Sequence, residues 1–210
     1  MKMCALLVLL LLPVKIFAQD SLKYSPDFSF TEGIYLSFQQ FRDNRPVPKS
    51  KIVSDYDTTK LNFIHQVVSG KTMRYLDADG HLVEINPGKL WGYSENNSVF
   101  IHFNGEFNRI VVIGSICHFT AYYTTYATTG PTMNGPDYGA PVENLRQYIL
   151  DMQTGLVHDF VLEEMEPILQ RDDAIYKEFM ALRKGKRRKL MFFYLRKYNE
   201  AHPLYFKTPA

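Results

Sequence analysis

The spacing of apolar residues divides the chain into a region typical of strands and a region typical of helices. From Leu61 to Phe119, apolar and polar residues alternate, and β-branched and aromatic residues are frequent. Short turn signals interrupt this region, and Asp79-Gly80 favours a two-residue type I′ hairpin turn. Such regular spacing predicts an antiparallel meander. The predicted strands cover residues 33–36, 63–68, 72–76, 81–85, 90–93, 99–103, 107–119, 146–152 and 156–161.

Both alternating faces of residues 107–119 are apolar, so this strand is expected to be central and covered on both sides. Helical spacing begins after Pro167, where an apolar stripe predicts a helix with Asp172 or Asp173 as its N-cap. Gly185 is expected to interrupt the helical region, and His202-Pro203 to end it.

A short helix is also predicted near the start of the sheet region, with Ser37 as its N-cap and Gln40 as the reciprocal partner of a capping box. Together these elements predict an α+β fold. A mainly β domain covers residues 19–161 and contains this short N-terminal helix, and a helical C-terminal segment covers residues 162–210. The residues expected to be buried are Trp91, Tyr93, Phe100, Ile110, Val112, Ile116, Phe179, Leu182 and Phe193.

Residues 120–142 break the strand pattern with several Gly-Pro steps, and they are expected to form a long loop. Loops of this length inside a compact domain are often functional. Tyrosine offers a large apolar face and a polar tip, which suits recognition surfaces. The candidate ligand-binding residues are therefore Tyr122, Tyr123, Tyr126 and Tyr138. Packing of a long loop onto the core is the alternative role for the same side chains.

The first residues have the layout of a secretory signal peptide over residues 1–18. Lys2 precedes an apolar run from Met3 to Val14, and Ala18 is a small residue at the expected cleavage position. The run is shorter than the ~20 residues that a membrane-spanning helix needs, although an uncleaved anchor is an alternative. Cleavage would leave Cys117 as the only cysteine, so no intrachain disulfide is expected. The mature chain is expected in the periplasm or outside the cell, without a transmembrane span.

Charge is distributed unevenly, with about +7 over residues 171–210 and about −5 over residues 143–170. A basic run supplies four candidates for contact with anionic lipid head groups or a surface polymer: Lys186, Arg187, Arg188 and Lys189. Two alternatives are a solvated helix end and ion pairing with the acidic segment 159–166. The run contains no interleaved aromatic residues for stacking on bases, so no nucleic-acid partner is expected. An envelope protein is the alternative partner that the sequence allows.

No motif indicates a catalytic, metal or cofactor site. Cys117 and His118 are neighbours on a predicted strand and point to opposite faces, so a buried structural cysteine is expected rather than a dyad. The segment from Asp77 to Gly80 lacks the remaining ligands of a calcium loop, and a hairpin turn is expected there. The acidic residues over 163–166 suit the first turn of a helix. The six histidines lie singly, so no metal or other cofactor is expected.

Three segments carry a resemblance to a known group of proteins. They are Glu32–Phe41 with Asn44-x-Pro46, Leu90-Trp91-Gly92-Tyr93, and Tyr198-Asn199-x-x-His202-Pro203-Leu204. Over about residues 30–205 the chain resembles a group of uncharacterised exported proteins from bacteria of the Bacteroidota type. The resemblance implies export and a bacterial envelope setting, and it implies no activity.

The sequence therefore favours an exported envelope protein that binds or scaffolds without catalysis, through the tyrosine-rich segment and the basic tail. The alternative is a hydrolase that acts on an envelope polymer, with carboxylates or histidines that converge only in the folded chain. A deep cavity that holds two carboxylates, or a contact between Cys117 and a histidine, would indicate an enzyme.

Overall fold

The computed structural model describes residues 21–132 and 135–207, and within residues 127–140 it describes the backbone alone. The predicted signal peptide lies outside the described residues. Antiparallel sheets are followed by C-terminal helices, which confirms the predicted α+β class. The strands are β1 (Ser21–Lys23), β2 (Gly33–Tyr35), β3 (Val47–Pro48), β4 (Ile52–Val53), β5 (Met73–Leu76), β6 (Leu82–Ile85), β7 (Gly92–Glu95), β8 (Ser98–Phe103), β9 (Glu106–Val112), β10 (Ile116–Thr132), β11 (Gly135–Asp151), β12 (Val157–Asp159) and β13 (Tyr205–Lys207).

Two short helices lie between the first strands of the sheet region, and the other described helices follow it. They are α1 (Phe38–Arg42), α2 (Phe63–Val68), α3 (Leu162–Leu169), α4 (Asp173–Met180), α5 (Lys184–Lys189) and α6 (Met191–Ala201). The largest sheet has eight strands in the order β12-β11-β10-β9-β8-β7-β2-β3. Its strands from β7 to β12 follow one another in the chain and pair antiparallel, so the predicted meander is present. Strands β4 to β6 form a three-stranded sheet, and β1 pairs with β13.

Three apolar clusters hold these layers together. One joins the first strands to the end of the chain, where Phe28, Phe30 and Phe206 pack as an aromatic group. A second joins the opposite face of β10 and β11 to α3, α4 and α6, with Ile116 and Phe179 at its centre. The third lies between α2 and β7.

Of the residues predicted to be buried, Tyr93, Ile110, Ile116 and Phe179 are fully buried, and Trp91, Phe100, Val112 and Leu182 are half-buried. The prediction is wrong for Phe193, which is 54% exposed, because α6 turns Tyr194, Leu195 and Tyr198 inward instead.

The turn chemistry differs from the prediction at one hairpin. The Asp79-Gly80 sequence predicts a type I′ turn, which needs a positive φ at both central residues. Of these two residues, Gly80 has a positive φ, of 84°, and Asp79 does not. The type I′ conformation occurs instead at Asn96-Asn97, with φ of 48° and 55°, and at Asn104-Gly105, with φ of 54° and 84°. These two turns fix the registers of β7 with β8 and of β8 with β9.

The predicted strand at residues 63–68 is wrong, because this segment forms α2. The buried carboxylate of Glu95 accepts hydrogen bonds from the backbone N–H groups of Ile64 and His65, at 2.6 and 3.4 Å. It thereby satisfies orphan donors at the start of the helix, a role that local capping residues usually fill. Burial raises the pKa of Glu95. A partner 30 residues away therefore decides the conformation of this short apolar segment.

The single strand predicted over residues 107–119 is also wrong, because it divides into β9 and β10 at Gly114. The Asn199 side chain of α6 lies there and pairs with the backbone of Ile116. Its Oδ1 accepts from the Ile116 N–H at 2.7 Å, and its Nδ2 donates to the Ile116 carbonyl at 2.8 Å. Val111 in β9 is exposed, so β9 is not covered on both faces.

The helix caps agree with the sequence patterns. The Ser37 side chain accepts from the Gln40 N–H at the start of α1, as predicted, but the Gln40 side chain accepts from the N–H of Leu36 rather than from that of Ser37. The Asp172 side chain accepts from two N–H groups in the first turn of α4. Gly185, however, lies inside α5, and the helical region is interrupted before it, between α4 and α5.

Candidate binding surface

Residues 120–142 do not form the expected loop. Their backbone belongs to β10 and β11, two strands of 17 residues each that pair with one another. On the outer sides of these two strands, the paired residues are few. Strand β10 pairs with β9 at His118 and Phe119, and β11 pairs with β12 over Tyr148–Leu150. We call residues 120–132 and 135–147 the arm. Within the described backbone, the outer edges of the arm have no strand partner.

Successive side chains of a strand point to opposite faces, so the candidate tyrosines of the arm do not all lie on one face. Tyr122 lies opposite Leu145 and Tyr126 opposite Pro141, so these side chains share one face of the ribbon. Tyr122 is 50% exposed, Tyr126 62% and Leu145 57%. This face presents large apolar side chains that the described core does not use.

Tyr123 lies on the other face of the arm, where the guanidinium of Arg146 stacks on its ring at 3.9 Å from the centroid. The side chain of Tyr138 lies outside the described residues. The structure therefore brings Tyr122 and Tyr126 together and separates Tyr123 from them. Sequence reasoning missed Leu145, whose place opposite Tyr122 depends on strand register.

The outer edge of β10 exposes backbone hydrogen-bonding groups at alternate residues. The Asn104 Nδ2 group donates to the carbonyl of Tyr122 at 3.2 Å, which shows that this carbonyl points away from β11. Since backbone groups alternate in direction along an antiparallel strand, those of Thr124 and Tyr126 point the same way. The sequence of β10 contains no Lys, Arg, Asp or Glu. This edge is therefore uncharged.

The base of the arm is packed firmly against the helices. His118 is buried beside the rings of Phe160 and Phe192, at centroid distances of 5.2 and 4.6 Å, and its Nε2 lies 3.1 Å from Gln147 Oε1. Burial lowers the pKa of His118. Beside this base, a cavity of about 490 Å³ runs along β11 and is lined by Leu145, Arg146, Gln147, Asp159, Phe160 and Val161.

The basic run forms α5, a helix with no buried residue. Arg187 pairs with Glu166 at 2.5 Å, and Lys184 pairs with Glu163 at 3.6 Å. The acidic segment after β12 thus neutralises part of the run. Lys186, Arg188 and Lys189 are exposed and have no ion pair within residues 21–132 and 135–207. These three side chains form the free positive surface of α5.

The structure gives structural contacts to two further candidates for chemistry, Cys117 and the β5–β6 turn. Cys117 is completely buried, its Sγ lies 3.4 Å from the Gly114 carbonyl, and burial raises its pKa to about 12. A thiol held so far from ionisation is a poor nucleophile. In the β5–β6 turn, His81 Nδ1 lies 3.5 Å from Asp77 Oδ2, and the Asp77 carboxylate accepts from the backbone N–H groups of Asp79 and His81.

A cavity of about 240 Å³ lies where the end of β11 meets the helices. Asp151 lies in its wall, but the carboxylate is saturated. It accepts two hydrogen bonds from Arg171, one from the Gln153 N–H and one from the Thr154 hydroxyl. In the same wall, His202 Nε2 lies 2.9 Å from Asp172 Oδ2. These groups connect the helices to the sheet.

Replacement of Cys117 by serine is expected to cost about 1–3 kcal/mol of stability, because the hydroxyl enters an apolar layer. Any phenotype of the native gene should be preserved, since the complete burial of the thiol indicates a structural role. Chemical denaturation measures the first effect and complementation of a deletion strain the second. Loss of function at unchanged stability would contradict the structural role.

No helix in the described parts of the chain is long and apolar enough to cross a membrane. The model of one protein family, described as a family of unknown function (DUF6563), matches residues 33–202. No curated protein and no solved structure matches the chain.

Proposed function

The chain belongs to the DUF6563 family of unknown function, and we propose that it is an exported, non-catalytic binding protein of the bacterial envelope. Its two contact surfaces are the arm and the free positive surface of α5. The signal-peptide layout of residues 1–18 supports export.

The arm is the observation that carries this proposal. A two-stranded ribbon is marginally stable in water unless something covers it. Tyr122, Tyr126 and Leu145 are nevertheless half exposed or more, on a ribbon whose outer edges lack a strand partner in the described backbone. Exposed apolar side chains grouped on one face mark an interaction site. The arm is therefore assigned to contact with a protein partner.

The free surface of α5 supports the second contact. Lys186, Arg188 and Lys189 lie on an exposed helix, while the ion pairs of Arg187 and Lys184 hold that helix to the acidic segment. Three exposed cations that form no ion pair within the described residues lie on this one short helix, and they suit a surface that carries phosphate or other anionic groups. Lipid head groups and anionic envelope polymers share this chemistry.

Vesicle binding tests the second contact. The purified chain should bind phosphatidylglycerol vesicles and not phosphatidylcholine vesicles, and binding should weaken as salt rises, because salt screens exposed charges. Replacing Lys186, Arg188 and Lys189 together by glutamine removes about 3 kcal/mol of attraction and should lower the partition coefficient about a hundredfold. A soluble polyphosphate that competes with the vesicles would show that the anion, rather than the bilayer, is recognised.

Arg187→Gln provides the matched control. It removes one positive charge from the same helix, but it breaks the ion pair with Glu166. It should therefore lower the melting temperature more than the triple variant does, and it should change vesicle binding less. A triple variant that binds like the wild type would contradict this role for α5.

A further inference from the structure

We propose that the anionic surface bound by α5 is a phospholipid bilayer, and that Phe193 of α6 inserts its ring among the lipids beside the bound head groups. This inference rests on the proposed function and names the partner for the second of its two surfaces. It follows from an exposed phenylalanine, from the cations around it and from the ion pairs that already occupy the neighbouring carboxylates.

Phe193 lies in the first turn of α6 and leaves much of its ring in water. The side chain is 54% exposed, and its ring packs edge-on against the buried ring of Tyr194 at a centroid distance of 5.2 Å. The preceding residue, Phe192, is less exposed and closes over His118 at the base of the arm. A phenyl ring carries no polar group, so a partner that covers Phe193 must offer apolar surroundings.

The packing of α5 and α6 turns their exposed faces away from α4. Both helices contact the buried ring of Phe179, with the guanidinium of Arg187 at 5.8 Å and the ring of Tyr194 at 4.8 Å from its centroid. Lys189 follows Arg187 by two residues and therefore lies about 200° round α5 from that contact. Arg196 stands in the same relation to Tyr194 on α6. Both cations thus point away from α4.

Phe193 lies between the cations of the two helices. Only Leu190 separates α5 from α6, and Arg196 follows Phe193 by three residues, a spacing at which two side chains share a helix face. Arg196 is exposed and forms no ion pair within the described part of the chain. We call the following residues the basic-aromatic face: Lys186, Arg188, Lys189, Phe193 and Arg196.

The carboxylates of α3 and α4 do not neutralise this face, because other cations hold them. The pairs are Glu163 with Lys184, Glu166 with Arg187, Asp173 with Lys177, and Glu178 with Lys197. Glu200, one turn beyond Arg196, is exposed and limits the face at its C-terminal end. The face therefore presents cations around one phenyl ring, which complements a surface that is negative outside and apolar beneath.

The phenyl ring distinguishes a bilayer from an anionic polymer. Both offer anionic groups to the cations, but a bilayer also has an apolar layer directly beneath them. Proteins that lie at this boundary combine Lys and Arg with Phe, Trp or Leu. The long basic side chains reach the head groups while the ring lies deeper. One ring with a few cations gives weak and reversible binding, since stable anchoring takes larger apolar groups.

Quenching by brominated acyl chains tests the insertion. The wild-type chain has one tryptophan, Trp91, which stacks on Phe41 in the first apolar cluster. Phe193→Trp adds a second, and this variant should lose roughly half of its emission on phosphatidylglycerol vesicles whose acyl chains carry bromine. The wild type should lose little. Leu82→Trp is the matched control, because Leu82 is 56% exposed but lies on β6.

The two proposals fail in different ways in this experiment. Phe193→Trp that binds the vesicles without quenching overturns the insertion and leaves the anionic contact of α5 standing. Equal quenching of Leu82→Trp and Phe193→Trp also overturns it, because the inserted surface would then not be this face. A wild-type chain that does not bind these vesicles at all overturns both proposals.

The partition coefficient gives a second readout. Phe193→Ser should lower binding to phosphatidylglycerol vesicles about tenfold, because a half-exposed ring no longer leaves water. Arg196→Gln should lower it about fivefold through the loss of one charge. Leu82→Ser removes an apolar side chain of similar exposure and should bind like the wild type. Binding by Phe193→Ser that equals binding by Leu82→Ser would contradict a role for the ring.

Discussion

Replacement of Asp151 by alanine is expected to lower the free energy of unfolding by about 3–5 kcal/mol. The carboxylate is 1% exposed, and it accepts two hydrogen bonds from Arg171, at 3.0 and 2.7 Å. It also accepts from the Gln153 N–H and the Thr154 hydroxyl, so alanine leaves a guanidinium and two further donors without their acceptor. Because Arg171 is one-third exposed and water can reach it, we expect the lower part of that range.

The same pair predicts a pH dependence. Burial acts to raise the pKa of Asp151, but the hydrogen bonds from Arg171, Gln153 and Thr154 outweigh it and hold the pKa below its usual value. A lowered pKa in the folded state stabilises the fold above the unfolded value of about 3.9 and loses this contribution as the pH falls through the folded pKa. The difference in melting temperature between the wild type and Asp151→Asn should therefore shrink below about pH 4.

Asp173→Ala provides the control for this experiment. Asp173 also forms an ion pair, with Lys177 at 3.3 Å, but both side chains are exposed. Exposed pairs contribute little, so the change should stay within about 0.5 kcal/mol at neutral pH. Equal losses for Asp151→Ala and Asp173→Ala would show that burial of the Asp151 carboxylate does not matter.

The second large effect is expected at the contact between Gly114 and Asn199. A Cβ atom at residue 114 would lie 2.4 Å from the Cγ and Nδ2 atoms of Asn199, which is closer than non-bonded atoms can approach. Gly114→Ala should therefore cost about 3 kcal/mol, since the side chain must leave its two hydrogen bonds with Ile116. Asn199→Ala should cost a similar amount, because it removes those same bonds directly.

The double variant distinguishes this explanation from a general loss of packing. Once Asn199 is alanine, the group that clashes with residue 114 is gone. The Gly114→Ala change should then add less than about 1 kcal/mol, so the two costs are strongly non-additive. Chemical denaturation of the wild type, both single variants and the double variant completes the cycle. Additive costs would contradict the contact.

Features set by neighbouring residues could be predicted from the sequence. The Ser37 and Asp172 caps are of this kind, because the capping groups lie within three residues of the N–H groups they satisfy. The order of strands in the meander followed from turn signals, since such short connections join neighbouring antiparallel strands. The change from strand to helical spacing located the C-terminal helices.

Features set by distant residues could not be predicted. Helix α2 has the apolar composition of a strand, and Glu95 caps it from β7. The division between β9 and β10 depends on Asn199, more than 80 residues away. The arm was missed for a different reason. Its Gly-Pro steps favour a loop, and the strand character of Tyr122 to Tyr126 was outweighed by them.

The pairing of β1 with β13 affects the order in which the chain can fold. Phe206 in β13 packs against Phe28 and Phe30, so the aromatic cluster near the start of the chain needs a residue from its end. Contacts of such high sequence separation form late, because a long loop must close before they contribute. If the chain were to cross a membrane N-terminus first, this aromatic cluster could not form until residue 206 had crossed as well. Its first aromatic residues would therefore be accessible to chaperones throughout transit.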